Sequence, residues 1–146
     1  MLGLIITGHG EFSSGLIHSA RMIAGTHEHV ENVVFADGMD LAVLQEQIGA
    51  LAAKHVEAYG GTIILTDLKG GTPFNVSMMA TATLENVAVL SGTNLPMIIE
   101  GTLLSQFSDS ADDLAAQLVQ VGRDGVDRPQ LNRLSQQEVA EDEDGI

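Results

Sequence analysis

The sequence predicts an α/β protein with a doubly wound, mainly parallel open sheet and helices on both faces. Short apolar runs typical of buried strands alternate with longer stretches of helical periodicity. Glycines and capping residues separate these stretches. Alternation of this kind requires right-handed crossover connections, and we therefore expect the strand order 2-1-3-4. The chain has 146 residues, the length of one ordinary domain.

The first half of the chain predicts three strands separated by two helices, in the order residues 2–6, 13–24, 32–36, 41–59 and 62–65. The strands are aliphatic runs that are too apolar for either side to face water. Either Ser13 or Ser14 is the expected N-cap of the first helix, which should end at Gly25. The second helix has Asp40 as its expected N-cap and should stop at Gly60.

The second half of the chain predicts a helix, a strand and two more helices, over residues 73–84, 86–90, 95–107 and 111–121. Thr72 suits the N-cap of the third helix, and Pro73 suits its first turn, where a missing N–H costs nothing. Ser110 is the expected N-cap of the last helix. Residues 126–134 could add a short edge strand, so we expect a domain over residues 1–134.

Composition and charge exclude several classes of function. The net charge is −14 with only six Lys and Arg, which argues against nucleic acid and anionic membranes as partners. There is no cysteine, as expected of a protein in a reducing cytoplasm, and no apolar run approaches the ~20 residues that span a bilayer. We therefore expect a cytoplasmic protein without direct membrane insertion. Residues 135–146 are predicted to be a disordered acidic tail.

Two polar residues follow the first and third predicted strands. His9 stands between two glycines after the first strand, and Asp67 follows the third. In a sheet of order 2-1-3-4 these two strands flank the crevice where ligands bind, so we expect His9 and Asp67 to meet there. A carboxylate bonded to one imidazole nitrogen fixes the tautomer and leaves the other nitrogen with a free lone pair.

A glycine turn provides the third part of this predicted site. Gly70, Gly71 and Thr72 follow Asp67 and lead into a helix N-terminus. Unpaired N–H groups and the helix dipole favour an anion at such a position. A histidine nucleophile, an orienting carboxylate and an anion cradle together predict phosphoryl transfer onto His9.

The residues alone leave other interpretations open, because a histidine in a glycine turn can be structural and an aspartate after a strand can cap a turn. The segment from Gly8 to Ser13 approaches the Gly-x-Gly-x-x-Gly pattern of dinucleotide-binding modules. Asp37 ends the second strand where a ribose-binding acid would lie. Against this alternative, Ser13 is not glycine or alanine, and we expect no second domain for a substrate.

The remaining histidines and one lysine carry weaker signals. His27 and His29 flank an acidic residue in a predicted loop, but a metal site there would need further ligands. His55 lies late in the second helix and is expected to be solvated. Lys69 could meet a phosphate or an acidic partner, or could be an exposed turn lysine.

Three motifs give the chain a resemblance to a known family. Residues 3–16 and the stretch Asp67-Leu-Lys-Gly-Gly-Thr-Pro-Phe-Asn75 are similar to the two signatures of the IIA domain of the mannose-family (mannose/fructose/sorbose-type) phosphoenolpyruvate-dependent sugar phosphotransferase system. Residues 92–97 are similar to a third signature, and the resemblance covers residues 1–126. It implies a doubly wound sheet, a homodimer, and a phosphotransferase with a phosphohistidine intermediate and no metal or organic cofactor.

The resemblance also implies roles for residues and partners. His9 would take the phosphoryl group from phospho-HPr and pass it to a IIB component, which serves sugar uptake through membrane IIC and IID components. Asp67 would orient His9, while Gly70, Gly71 and Thr72 would hold the phosphoryl group. Some members have an aromatic residue where this chain has Lys69, and no IIB region follows here, so IIB would be a separate protein. A phosphotransfer subunit of a dihydroxyacetone kinase and a purely regulatory phosphoprotein stay open as alternatives.

Overall fold

The computed structural model describes residues 1–131, in which four β-strands alternate with five α-helices. The order is β1 (Gly3–His9), α1 (Phe12–Ala24), β2 (Val30–Phe35), α2 (Leu41–Tyr59), β3 (Thr62–Thr66), α3 (Thr72–Ala80), β4 (Val87–Leu90), α4 (Leu95–Leu104) and α5 (Ala111–Asp124). A 3₁₀ turn, Ser105–Phe107, separates α4 from α5. This sequence of elements confirms the predicted alternation of strands and helices.

The four strands form one parallel sheet of order β2-β1-β3-β4. The predicted order is therefore confirmed, and β1 and β3 are neighbours at the centre of the sheet. Residues 126–131 form no strand, so the expected edge element is wrong over the part that the structure describes. Pro129 lacks a backbone N–H, and residues 126–131 are exposed, so no burial stabilises a strand there. The predicted tail, residues 135–146, lies outside the described residues.

Helices cover both faces of the sheet and divide the core into two clusters. Helices α1, α4 and α5 pack on one face, against buried residues such as Leu4, Ile6 and Leu65. Helices α2 and α3 pack on the other face, against Ile5 and Ile64. Successive residues of β1 therefore face opposite cores, as the two-residue repeat of a strand requires.

Helix α2 follows its sequence signals closely. Its bounds are those predicted, and the Asp40 carboxylate accepts a hydrogen bond from the backbone N–H of Ala42 at 3.0 Å. Gly60 ends the helix in the left-handed conformation at φ 88°, which a side chain would disfavour. The caps expected at Gly25 and Ser110 are also confirmed.

Two predicted N-caps are wrong. Helix α1 begins at Phe12, before Ser13 and Ser14, and the buried Ser13 hydroxyl donates to the carbonyl of Val33 instead. Helix α3 has Gly71 as its N-cap, since the Gly71 carbonyl accepts the first helical hydrogen bond, from Asn75 at 2.9 Å. Thr72 is consequently the first residue of the helix rather than its cap.

Several element boundaries also differ from the prediction. Strand β1 continues three residues beyond Ile6, because Thr7, Gly8 and His9 pair with β2. Helix α3 ends at Ala80 rather than residue 84. Asn86 does not begin β4, because its backbone adopts φ 58° and its side chain hydrogen bonds to Gly60, Asp109 and Ala111.

Candidate functional site

The two residues predicted to meet at the crevice lie side by side at the carboxyl edge of the sheet. His9 is the last residue of β1, and Asp67 follows the last residue of the neighbouring strand β3. Nδ1 of His9 lies 2.6 Å from Oδ2 of Asp67, although 58 residues separate the two along the chain. The pair therefore exists because the parallel register of β1 and β3 aligns the ends of the two strands.

The Asp67 carboxylate is held by three hydrogen bonds. Oδ2 accepts from the backbone N–H of His9 at 2.9 Å as well as from its imidazole, and Oδ1 accepts from the Leu68 N–H at 2.8 Å. Partial burial raises the pKa of Asp67, but these bonds and the nearby imidazole outweigh it and hold the pKa below its ordinary value. Asp67 is therefore ionised near neutral pH and can act only as an acceptor.

This carboxylate determines which imidazole nitrogen can react. An ionised carboxylate cannot donate, so Nδ1 of His9 carries the proton of this hydrogen bond. Nε2 then holds the lone pair of the neutral ring, and it has no hydrogen-bond partner among residues 1–131. The His9 side chain is 50% exposed, whereas that of Asp67 is 13% exposed. The arrangement presents one oriented nucleophilic nitrogen to solvent.

Phe35 supports the imidazole from the side of β2. The two ring centroids lie 5.6 Å apart at an interplanar angle of 69°, an edge-to-face contact. Phe35 pairs with His9 in the sheet register, so this contact follows from the extension of β1 past Ile6. Sequence reasoning assigned no role to Phe35, and the sheet register is the signal that reveals it.

The first turn of α3 lies against the other side of the ring. A Cβ atom added to Gly71 would stand 3.2 Å from Cε1 of His9, the carbon between the two ring nitrogens. The backbone N–H groups of Thr72 and Phe74 have no acceptor among residues 1–131, and Pro73 has no N–H. Two free donors at a helix N-terminus favour an anion beside Nε2.

The other glycine of the predicted cradle shapes the turn. Gly70 adopts φ 77°, and its carbonyl accepts a hydrogen bond from the side chain of Asn75 at 3.0 Å. The Gly71 N–H donates to the carbonyl of Leu68 at 3.0 Å, so it is already used within the turn. Gly71 therefore allows the backbone to approach the His9 ring closely, but its N–H is not free to bind an anion. Lys69 is exposed in this turn and forms no ion pair within residues 1–131.

The third motif braces the end of β3. The Thr93 hydroxyl donates to the carbonyl of Thr66 at 2.7 Å, and the Gly92 N–H donates to the carbonyl of Asp67 at 3.1 Å. These contacts fix the backbone on which the Asp67 side chain is mounted. The sequence pattern alone predicts no contact for this motif, because only the sheet order brings residue 93 beside residue 66.

The dinucleotide alternative gains no support from the surroundings of Asp37. Asp37 is exposed and lines, with His9 and Phe35, a cavity of about 180 Å³. Pockets that enclose organic ligands are usually about 300–1,000 Å³. Ser13 stands at the third glycine position of the pattern, which serves close packing of the helix on the strand, and its hydroxyl bonds to the Val33 carbonyl of β2.

The expectation that His55 is solvated is wrong. Its side chain is fully buried, with Nε2 2.6 Å from Glu31 Oε2 and Nδ1 3.0 Å from the Thr62 hydroxyl. His29 is buried too, and its Nε2 lies 2.9 Å from the Ser105 hydroxyl. Both lie at the amino edge of the sheet, away from His9. Within residues 1–131, no cluster of three or more His, Cys, Asp or Glu could hold a metal ion.

Comparisons with known proteins place this geometry in a family. The family model described as "PTS system fructose IIA component" matches residues 3–119. The mannose-specific EIIAB component of Escherichia coli K12 is 32% identical over 125 residues, which are 86% of this chain and 38% of that protein. The fructose-specific EIIA component of Bacillus subtilis is 33% identical over 100 residues, 68% of each chain.

A solved structure supports the same placement. The mannose/sorbose-specific IIA subunit from Enterococcus faecalis superposes with a TM-score of 0.78 at 36% identity, over 92% of this chain and 98% of that one. The fold and these matches define the class of protein as a IIA component of a phosphotransferase system. The chain belongs to the family of mannose-type IIA components, so the resemblance drawn from its motifs is confirmed.

Two further facts limit what the family assignment implies. The chain spans 38% of the length of the EIIAB relative from Escherichia coli, so it corresponds to only part of that protein. Among residues 1–131, no helix is both long enough and apolar enough to cross a membrane.

Proposed function

We propose that this chain is a phosphoryl carrier of a sugar phosphotransferase system, with His9 as the phosphorylated residue. The observation that carries the proposal is the 2.6 Å contact between Nδ1 of His9 and Asp67, which leaves Nε2 as the nucleophile beside the start of α3. The donor is phospho-HPr and the acceptor is a IIB component, which serves membrane IIC and IID components. This relay belongs in the cytoplasm.

The transfer itself is a displacement at phosphorus. The Nε2 lone pair of His9 forms the new N–P bond while the N–P bond of the donor phosphohistidine breaks, and its electron pair stays on the donor ring. Positive character develops on the His9 ring, whose Nδ1 proton stays hydrogen bonded to Asp67. The free N–H groups of Thr72 and Phe74 stabilise negative charge on the phosphoryl oxygens. The second transfer, to IIB, reverses these steps.

The proposal includes the remaining expectations from the sequence. The carrier domain spans residues 1–134, forms a homodimer and uses no metal or organic cofactor. Gly70 shapes the turn that presents Gly71 and Thr72 to the phosphoryl group. The relatives described above are components of sugar systems. No observation on this chain favours the dihydroxyacetone kinase alternative over a sugar system.

Labelling from phosphoenolpyruvate through Enzyme I and HPr tests the proposal. We expect acid-labile phosphate on the wild-type chain and none on His9→Ala. Asp67→Asn should label at least about 10-fold more slowly, because a neutral amide no longer stabilises the charged ring. His18→Ala is the matched control, since His18 is also exposed but lies on α1. Equal labelling of His9→Ala and wild type would refute the assignment.

A further inference from the structure

One polar group near His9 lacks a partner. Among residues 1–131, the Thr7 hydroxyl is the single buried side-chain nitrogen or oxygen with no hydrogen bond. Other buried threonines have partners: Thr62 contacts His55, and Thr66 and Thr93 bond to backbone carbonyls. Native proteins rarely leave such a group unpaired, because burying it without an acceptor is costly. The exception therefore requires a physical reason.

The position of Thr7 supplies that reason. Thr7 pairs with Val33 and with Thr66, and Val33 belongs to the cluster covered by α2 and α3. Side chains two residues apart in a strand share a face, so Thr7 lies one step below His9 on the face where α3 begins. The hydroxyl is thus buried on the face of β1 that also carries His9 and that α2 and α3 cover.

Three groups at this end of the sheet lack a hydrogen-bond partner within residues 1–131. The Thr7 hydroxyl lacks an acceptor, and so do the backbone N–H groups of Thr72 and Phe74. No hydrogen bond joins these groups to one another, and both Asp67 oxygens are already engaged. A phosphoryl group is a tetrahedral anion with several acceptor oxygens, so it supplies the hydrogen-bond acceptors that these groups lack.

We propose that Thr7 is a positioning residue whose hydroxyl gains its acceptor when His9 is phosphorylated. This inference rests on the proposed function. The hydroxyl is shielded from solvent in the unmodified protein, so a small tilt of the half-exposed His9 ring or a shift of the α3 first turn accompanies phosphorylation. Thr7 therefore favours the phosphorylated form by leaving a donor unsatisfied in the unmodified form.

The test compares hydroxyl removal at two buried strand positions. Thr7→Val and Thr62→Val are matched, because both threonines are fully buried on the same face of the sheet, at opposite edges. Thr7→Ser keeps the hydroxyl, and Thr7→Ala provides a second variant without it. For each variant, the thermal midpoint of the unmodified chain and the equilibrium constant for phosphoryl exchange with phospho-HPr are measured.

We expect Thr7→Val to keep or raise the thermal midpoint, because it removes an unsatisfied group. The same variant should lower the exchange constant at least about 10-fold, in line with one lost charge-assisted hydrogen bond, and Thr7→Ser should restore most of it. Thr62→Val should do the reverse, with a lower midpoint and an unchanged exchange constant.

Two results would overturn the inference. One is an exchange constant for Thr7→Val and Thr7→Ala equal to that of the wild type. The other is a midpoint for Thr7→Val that falls as far as that of Thr62→Val, which would mean that the hydroxyl already has a partner. Both leave wild-type labelling intact. An unlabelled wild type would instead refute the proposed function, and this inference with it.

Discussion

The contact between Gly3 and His55 gives a sharp test of the packing at the amino edge of the sheet. A Cβ atom on Gly3 would stand 2.1 Å from Nδ1 of His55 and 2.6 Å from its Cγ, well inside van der Waals contact. The ring is fully buried and is held on both sides, by Glu31 and by Thr62. Gly3→Ala must therefore displace the ring and break its hydrogen bonds.

The structure sets the size of the effect. An overpacked core costs about 1–3 kcal/mol. Leaving the buried Thr62 hydroxyl unsatisfied costs about 1–3 kcal/mol, and losing a hydrogen bond to a carboxylate costs about 1.5–3 kcal/mol. The Glu31 side chain is 34% exposed, so solvent replaces part of that bond and the lower end applies. We expect Gly3→Ala to lower the free energy of unfolding by at least about 3.5 kcal/mol, the total of the lower ends of these costs.

Urea unfolding followed by circular dichroism measures this loss. Gly15→Ala is the matched control, because Gly15 lies within α1 and an added Cβ would meet nothing within 4 Å. That substitution should stabilise the chain by about 0.5–1 kcal/mol. In a His55→Ala background the obstacle is absent, so Gly3→Ala should then cost less than about 1 kcal/mol.

The expected result depends on the ring being unable to move aside. A loss below about 1 kcal/mol for Gly3→Ala in the wild-type background would refute it. An equal loss in the His55→Ala background would also refute the expected result, because the effect of Gly3→Ala would then not depend on His55. Either outcome would leave the function of His9 untouched.

Two further predictions concern the edge of the sheet that carries His9 and the response to pH. Gly71→Ala suits the backbone, at φ −72° and ψ 166°, but places a Cβ 3.2 Å from the His9 ring. We expect phosphoryl transfer to slow about threefold to tenfold in stopped-flow assays with little change in stability, and an unchanged rate would contradict the close contact. Burial lowers the pKa of His29 and of His55, against the opposing effect of the hydrogen bonds that they donate to the Thr102 carbonyl and to Glu31. The unfolded chain then binds more protons below about pH 6.5, so the free energy of unfolding should fall between pH 7.5 and 5.5, and a rise would refute this.

Local signals were sufficient for part of the fold. Helix α2 begins after Asp40 and ends at Gly60 as predicted, because an N-cap carboxylate and a left-handed glycine act through their own backbone. Thr72 was misassigned as a cap because the turn before it determines where the first helical hydrogen bond forms. Gly71 accepts that bond, and a sequence pattern does not distinguish neighbouring small residues at a cap.

Long-range pairing explains the larger differences. Strand β1 reaches His9 because β2 continues alongside it, and no local pattern marks Thr7 and Gly8 as strand residues. His55 lies at helical spacing from Ile48 and Ala52 and so falls on the buried stripe of α2, a signal that was available. Its polarity suggested a solvated side chain. A carboxylate, a hydroxyl and a glycine from three different strands surround the buried His55 ring.

The candidate site was predictable to the extent that the strand order was. His9 and Asp67 were expected to meet because a sheet of order 2-1-3-4 aligns the two strand ends, and the structure brings them together. The supporting contacts of Phe35 and Thr93 depend on register and loop path. Those are set by packing across the sheet rather than by any short pattern.

The parallel strand order also has a consequence for synthesis. The four strands within residues 1–131 form no hairpin, so each of their pairings waits for a complete crossover before it can form. Pairings that are distant in sequence fold slowly, because chain entropy is lost before the contacts are gained. The contact between His9 and Asp67 spans 58 residues, and β1 receives its second neighbour only when β3 has left the ribosome. A nascent chain therefore carries an unpaired histidine until half of the domain has been made, and the pairing of β3 with β1 brings Asp67 to His9 in the same event.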